Sequence, residues 1–285
     1  LLEECRETKE PTELVFEEGT YHFYPDFAFE RTLCISNHDE DTIKRIAFDL
    51  TDCAHLTIRG KNSEFIFHTE LLAFYFEHSE DITLESFSID YERPAYSEGT
   101  IVSVNGPSMQ LRIDKEKFPY YVAHQRIFFT GENFCYEIPF WMEVDPERGE
   151  PSEGPYETGF DIQPDSNYGN WKELEKGLVE VTLDGAGHMK TFEGYTPGHV
   201  IVLRHHPRSY PATYVTASKD VTFRDVKLYH CAGMGVIAQF TENITLERLE
   251  VTGKPESGHW FSLAADATHF VYCRGLIHIK DCLFE

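Results

Sequence analysis

A short pattern of apolar and polar positions recurs along this chain. A polar residue leads, apolar residues follow at every second position, a break intervenes, and more apolar residues close the phase. It reads Asp81-Ile82-Thr83-Leu84-Glu85-Ser86-Phe87-Ser88-Ile89, then Asp220-Val221-Thr222-Phe223-Arg224-Asp225-Val226-Lys227-Leu228, then Asn243-Ile244-Thr245-Leu246-Glu247-Arg248-Leu249-Glu250-Val251. His55-Leu56-Thr57-Ile58-Arg59-Gly60 is a shorter copy, and Leu276 to Phe284 a weaker one. Period two predicts β-strands. Leu56 and Ile82 are 26 residues apart, Val221 and Ile244 are 23 apart, and Ile244 and Ile277 are 33 apart. Recurrence every twenty-odd residues predicts a solenoid whose coils bury their apolar sides against one another. The expected class is therefore all-β, a pectin-lyase-like parallel β-helix. The Asn ladder and Leu frame of leucine-rich repeats are missing. The widest of the three spacings holds one coil plus an extra loop around 253–260.

Ile82 and Val221 are too far apart for a single coil, and the sequence between them changes character. Gly99 to Val104 and Met109 to Ile113 flank Asn105-Gly106, a hairpin signal. Further short strands are predicted at 126–129, 134–138, 178–183 and 199–204. Short strands with frequent turns read as a small antiparallel β-barrel. The stretch 145–170, rich in Pro, Gly and acids, reads as a surface loop. The expected organisation is 1–96, the first part of the β-helix; 97–205, the inserted barrel; and 206–285, the β-helix resumed and cut short. Before the repeats, Leu1 to Cys5 reads as the end of an amphipathic helix. Strands are predicted at 13–16, 20–23, 33–36 and 45–50.

Composition narrows the partners. Asp and Glu number 49 against 25 Lys and Arg, a formal charge of −24. That field argues against nucleic acid, against an anionic membrane surface and against a polyanionic glycan. A neutral sugar is indifferent to it. Seven scattered Cys without CxxC or zinc spacing read as buried free thiols rather than disulfides or a metal site. No apolar run is long enough to span a membrane, and no signal peptide is visible. The chain opens at Leu1 in mid-pattern and stops at Glu285 just after a strand-like run, which reads as a fragment of a longer protein.

The candidate chemistry centres on Asp266, set among small apolar residues in Ser262-Leu263-Ala264-Ala265-Asp266-Ala267-Thr268-His269, with Arg274 following. An apolar setting raises a carboxyl pKa while His and Arg lower it, so Asp266 is a candidate acid or base. Read alone, it is equally an Asp that ties its own turn. One coil earlier, Cys231-Ala232-Gly233-Met234-Gly235 permits a close approach, by a ligand or by another backbone. Gln239, at the end of that run, is a candidate partner for a sugar hydroxyl. Trp260, next to His259 on the long loop, is a candidate stacking platform, and Arg208 in Arg204-His205-His206-Pro207-Arg208 a candidate polar contact. No metal is expected: the acidic run 39–41 lacks calcium-loop spacing. A polysaccharide lyase would need a base and a cation for a uronate, and serine or cysteine nucleophile motifs are absent.

Several of these runs resemble one family. Cys34-Ile35-Ser36-Asn37-His38-Asp39, Lys44-Arg45-Ile46-Ala47-Phe48, Phe87-Ser88-Ile89-Asp90, Ala232 to Gln239, and Ala265-Asp266-Ala267-Thr268-His269-Phe270 with Cys273-Arg274-Gly275 resemble the bacterial exo-acting α-1,3-galactosidases of glycoside hydrolase family 110. The resemblance implies a right-handed β-helix with a barrel insertion, an inverting two-carboxylate mechanism and no cofactor. It implies Asp266 as one catalytic carboxylate, with the second in an Asp pair expected beyond Glu285. His269, Gln239, His259, Trp260 and Arg208 would contact a glycan ending in α-galactose. Family analogy admits a homodimer, and substrate logic places the protein in the periplasm or outside the cell. A non-catalytic carbohydrate-binding β-helix is the competing expectation.

Overall fold

The predicted repeat phases lie side by side, in register, as parallel strands. In a computed structural model, Leu56, Ile82, Val221, Ile244 and Ile277 form one row across the strands Ala54–Phe67, Glu80–Tyr91, Lys219–Leu228, Glu242–Glu247 and Arg274–Lys280. The structure describes residues 2–8, 10–38, 42–137, 140–152, 169–183, 191–205, 208 and 210–285. The acidic run 39–41, His206, Pro207 and most of the loop 145–170 lie outside them. The chain divides into two units. One comprises Leu1–Pro94, Arg208–Ser257 and Phe261–Glu285, and the other Ala95–Pro207 with Gly258–Trp260.

The first unit carries two sheets. One is parallel and nine-stranded, built on the repeat strands and extended by Thr12–Val15, Thr20–Phe23, Glu250–Val251 and Leu283–Phe284. The other runs in the order Thr268–Val271, Val236–Gln239, Thr213–Thr216, Leu72–Glu77, Thr42–Asp49, Phe29–Leu33. It is parallel except for its last pair. A short helix, Leu2–Glu7, precedes both sheets.

The polar positions of the repeat have a backbone cause. The leading residues His55, Asp81, Asp220 and Asn243 take φ of 54°, 56°, 53° and 57°. The break residues Ser86, Asp225, Arg248 and Asp281 take 61°, 51°, 51° and 53°. Left-handed backbone is costly for bulky residues, and Asn and Asp tolerate it best. Stacked side chains add support: Asn243 Nδ2 donates to Asp220 Oδ1 at 2.7 Å, and Arg248 grips Asp225 at 2.6 and 2.8 Å. Between the breaks, Arg59, Glu85, Arg224, Glu247 and Lys280 occupy one row with alternating charge. Their successive separations are 3.6, 3.8, 3.0 and 3.7 Å.

Apolar side chains from both sheets share one core that includes Leu56, Ile82, Phe223, Leu246, Phe74, Val215 and Ala238. Phe48 stacks on Phe74 at 4.5 Å and Phe65 on Phe87 at 4.6 Å. Each such pair contributes about 0.5–1.5 kcal/mol beyond its buried area.

The strand predicted at 33–36 is shifted: Phe29–Leu33 is the strand, and Cys34 to His38 leaves the sheet. Side-chain partners explain this. Tyr214 Oη donates to the Cys34 carbonyl at 3.0 Å, and the Ser36 N–H donates to Gln239 Oε1, so neither group is left for a strand ladder. All seven cysteines are free. Cys5, Cys53 and Cys231 are buried as expected, whereas Cys34 and Cys135 are exposed.

The second unit is antiparallel. Its seven-stranded sheet runs Glu150–Pro151, Phe140–Asp145, Val200–Arg204, Tyr96–Asn105, Ser108–Ile113, Leu178–Thr182, Asn170–Glu175. Tyr120–Ala123, Arg126–Gly131 and Phe134–Tyr136 form a second, three-stranded sheet. The core includes Leu111, Ile113, Phe129, Trp141, Trp171, Val179 and Phe192. The predicted hairpin is present, one residue later than its sequence signal. Asn105 pairs with Ser108, so Gly106 and Pro107 make the turn, and Gly106 supplies the positive φ of 56°. The strands that open and close the insertion pair directly, Tyr96 opposite Arg204. Among the described residues no helix is long and apolar enough to cross a membrane.

Candidate active site

Asp266 lies just before the strand Thr268–Val271, which pairs in parallel with Val236–Gln239. Two glycines bring the neighbouring segments close. The Gly235 N–H donates to the Asp266 carbonyl and the Val236 N–H to the Ala267 carbonyl, each at 3.0 Å. A Cβ on Gly235 would sit 2.5 Å from Ala267 O, and one on Gly233 2.7 Å from Tyr210 O. Of the two readings of this glycine run, close approach of backbone is the one the packing realises. At Gly235 no side chain fits without moving the Asp266 segment, and at Gly233 none fits without moving Tyr210.

The Asp266 side chain is 53% exposed, and its Oδ2 lies 3.1 Å from His269 Nδ1. His269 stands opposite Ile237 in the sheet, and Gln239 opposite Val271. Asp266, His269 and Gln239 thus lie on adjacent strands and their lead-in. The carboxylate is solvent-accessible and oriented by an imidazole, an arrangement able to exchange a proton with a bound molecule.

Gln239 has a structural commitment that its sequence does not reveal. It is buried, and its carboxamide oxygen accepts the Ser36 N–H, pinning the Cys34–His38 segment. Arg208 joins the same segment, donating Nη1 to both Oδ1 and the carbonyl of Asn37, the latter at 3.1 Å.

His259 and Trp260 belong to the second unit. His259 packs edge-on against Tyr96 and Phe118, its Nδ1 3.7 Å from Glu98 Oε2. Trp260 is 42% exposed and lines a cavity of the second unit.

Two groups escaped the sequence reading. Glu98 is buried, and its Oε1 accepts the Trp260 N–H at 2.8 Å. Asp90 is buried in the first unit, 2.7 Å from His230 Nδ1 and 3.0 Å from Lys254 Nζ. Burial pushes the Asp90 carboxyl up, but hydrogen bonds and charge from His230 and Lys254 outweigh it and hold it below the usual carboxylate range. Burial lowers Lys254, yet Asp90 and Glu64 together raise it. Asp90 directly after Ile89, and His230 two residues after Leu228, were the available signal. Their convergence over 140 and 164 residues was not legible. Among the described residues, no three His, Cys, Asp or Glu side chains are arranged to hold a metal ion.

Known proteins are similar to this chain over almost all of it. The family model described as GLAA-B beta-barrel domain I matches residues 97–194. An alpha-1,3-galactosidase A of Shewanella woodyi is 33% identical over 96% of this chain and 44% of its own length. An alpha-1,3-galactosidase B of Phocaeicola vulgatus is 31% identical over 95% and 43%, and one of Bacteroides thetaiotaomicron 28% over 99% and 44%. The chain spans less than half the length of these relatives.

Proposed function

Because this chain belongs to the α-1,3-galactosidase family, glycoside hydrolase family 110, we propose that the whole protein hydrolyses terminal α-1,3-linked galactose from glycans. The observation that carries the reading is the similarity over almost the whole chain to several proteins that bear this name. The first unit is then a right-handed parallel β-helix. In support, the chain alternates between its two sheets, from Thr42–Asp49 to Ala54–Phe67 to Leu72–Glu77 to Glu80–Tyr91, and again from Thr213–Thr216 to Arg274–Lys280.

Asp266 is assigned one of the two carboxylates that most glycoside hydrolases need. Its exposure leaves it open to a glycosidic oxygen or a water, and its hydrogen bond to His269 fixes its direction. In an inverting enzyme one carboxyl protonates the leaving oxygen while the other activates water about 6.5–9.5 Å away. Gln239 and Arg208 shape the Cys34–His38 segment, and through it the surroundings of the sheet that carries His269. Glycans of this kind lie outside cells, so the proposal includes a periplasmic or secreted location.

The test is galactose release from an α-1,3-galactosyl disaccharide by the full-length protein and its Asp266→Asn variant. The variant is expected to lose about 10²–10⁴-fold in kcat, the usual worth of a positioned acid or base. Equal rates would remove Asp266 from the mechanism. No release by the unsubstituted protein would overturn the activity itself.

A further inference from the structure

The second unit contains a cavity of about 420 Å³, within the range of small-molecule sites. Trp260 lines it, beside Glu98, Arg112, Asp114 and Lys117. The other two tryptophans of the chain, Trp141 and Trp171, are buried at 2% and 4% exposure, whereas Trp260 is 42% exposed.

Glu98 is only 7% exposed. A buried carboxylate is costly unless its acceptor positions are filled. Its Oε1 takes the Trp260 N–H at 2.8 Å, and Oε2 faces His259 Nδ1 at 3.7 Å. A carboxylate has about four lone-pair sites, so acceptor capacity remains on a group that lines the cavity. Lys117 Nζ donates to the Gly258 carbonyl at 3.0 Å, tying the 114–118 turn to the segment that carries Trp260. Arg112 Nη2 pairs with Glu175 Oε1 at 3.0 Å.

We infer that this cavity is a binding site for a neutral pyranose sugar, built on the antiparallel unit. An indole face stacks on the C–H face of a pyranose, and acceptors and donors at its edge take the hydroxyls. Two acidic and two basic side chains in the wall cancel, leaving no field that favours a charged ligand. A uronate or a phosphate would be repelled by buried Glu98. The volume holds one or two sugar rings, not a long chain.

Fluorescence reads this, because Trp260 is the exposed one of the three tryptophans in these 285 residues, and loss of the change in Trp260→Phe assigns it to this residue. The full-length Asp266→Asn protein is titrated with methyl α-galactoside, methyl α-glucoside, methyl N-acetyl-β-glucosaminide and methyl glucuronide. That background turns over little ligand, and a response to the glucoside or the N-acetylglucosaminide, which are not galactosides, distinguishes this site from the hydrolase reading. At least one neutral glycoside is expected to give a saturable change. Trp260→Phe should abolish it, and Glu98→Gln should weaken binding at least about tenfold, the loss of one charge-assisted hydrogen bond. Far-ultraviolet circular dichroism reports whether each variant is folded, and should Glu98→Gln not fold, Trp260→Phe decides. Absence of saturation with every neutral glycoside would overturn the site. So would a change that survives Trp260→Phe, or tighter binding of the glucuronide.

Discussion

His230 Nδ1 lies 2.7 Å from an oxygen of Asp90, although the two residues are 140 positions apart. Lys254 completes the buried cluster at 3.0 Å from the other Asp90 oxygen and also reaches Glu64 at 3.2 Å. Asp90→Asn removes the charge that both partners face. We expect a loss toward the lower end of about 3–5 kcal/mol, because Lys254 is partly solvated. Urea denaturation at neutral pH checks this.

The same cluster predicts a pH dependence. The Asp90 carboxyl is depressed in the folded protein, so its contribution is present above the unfolded value of about 3.9 and lost as pH falls through the folded one. Lys254 is raised, so its contribution is present below about 10.4 and lost as pH rises through the folded value. Urea midpoints measured across these two ranges should fall at both ends. In Asp90→Asn the acid slope should be shallower.

Gly235→Ala puts a methyl group 2.5 Å from the Ala267 carbonyl, which is backbone and cannot swing aside. Overpacking of this kind costs about 1–3 kcal/mol. Because the push falls on the segment that carries Asp266, galactose release should fall as well. Gly253→Ala meets nothing within 4 Å and serves as the control, with a melting temperature close to that of the parent.

The alternating row Arg59, Glu85, Arg224, Glu247, Lys280 is expected to contribute little net stability. Glu85→Gln should cost about 0.2–1 kcal/mol at low salt. The difference should shrink in 1 M salt, where the screening length is about 3 Å. A loss that persists in high salt would show that Glu85 acts through packing instead.

Thiol labelling separates the cysteines. Burial raises Cys53 to about 11 and Cys231 further still, so neither forms thiolate near neutral pH. Maleimide should modify exposed Cys34 and Cys135 first, with Cys5, Cys53 and Cys231 reacting only on unfolding. Intact-mass spectrometry counts the adducts.

What was legible in the sequence was local. Asp81-Ile82-Thr83-Leu84 and its copies announce all-β structure with parallel pairing, because burial on one side forces period two and left-handed corners force a polar lead. The strand predicted at 33–36 was misplaced because the partners of Cys34 and Ser36, Tyr214 and Gln239, lie 180 and 203 residues downstream. Asp266 and His269 could be paired on paper because they are three apart. Glu98 could not: an isolated acid in Tyr96–Asn105 reads as a solvent-facing strand position. Only the return of 258–260 to the second unit gives it a tryptophan neighbour.

Ile82 and Val221 are neighbours in a parallel sheet although 139 residues separate them. Closing an open loop of that length is an entropic burden, each doubling adding about 0.6 kcal/mol, and distant contacts of this kind slow folding. The direct pairing of Tyr96 with Arg204, continued by the His205 N–H to the Ala95 carbonyl at 3.0 Å, removes most of that burden. Once those two strands zip, the open chain left between Glu80–Tyr91 and Lys219–Leu228 is only the stretches 92–95 and 205–218 rather than the whole insertion. The insertion thus behaves kinetically as a hairpin turn of unusual size. We expect its strands to pair before Lys219–Leu228 meets Glu80–Tyr91.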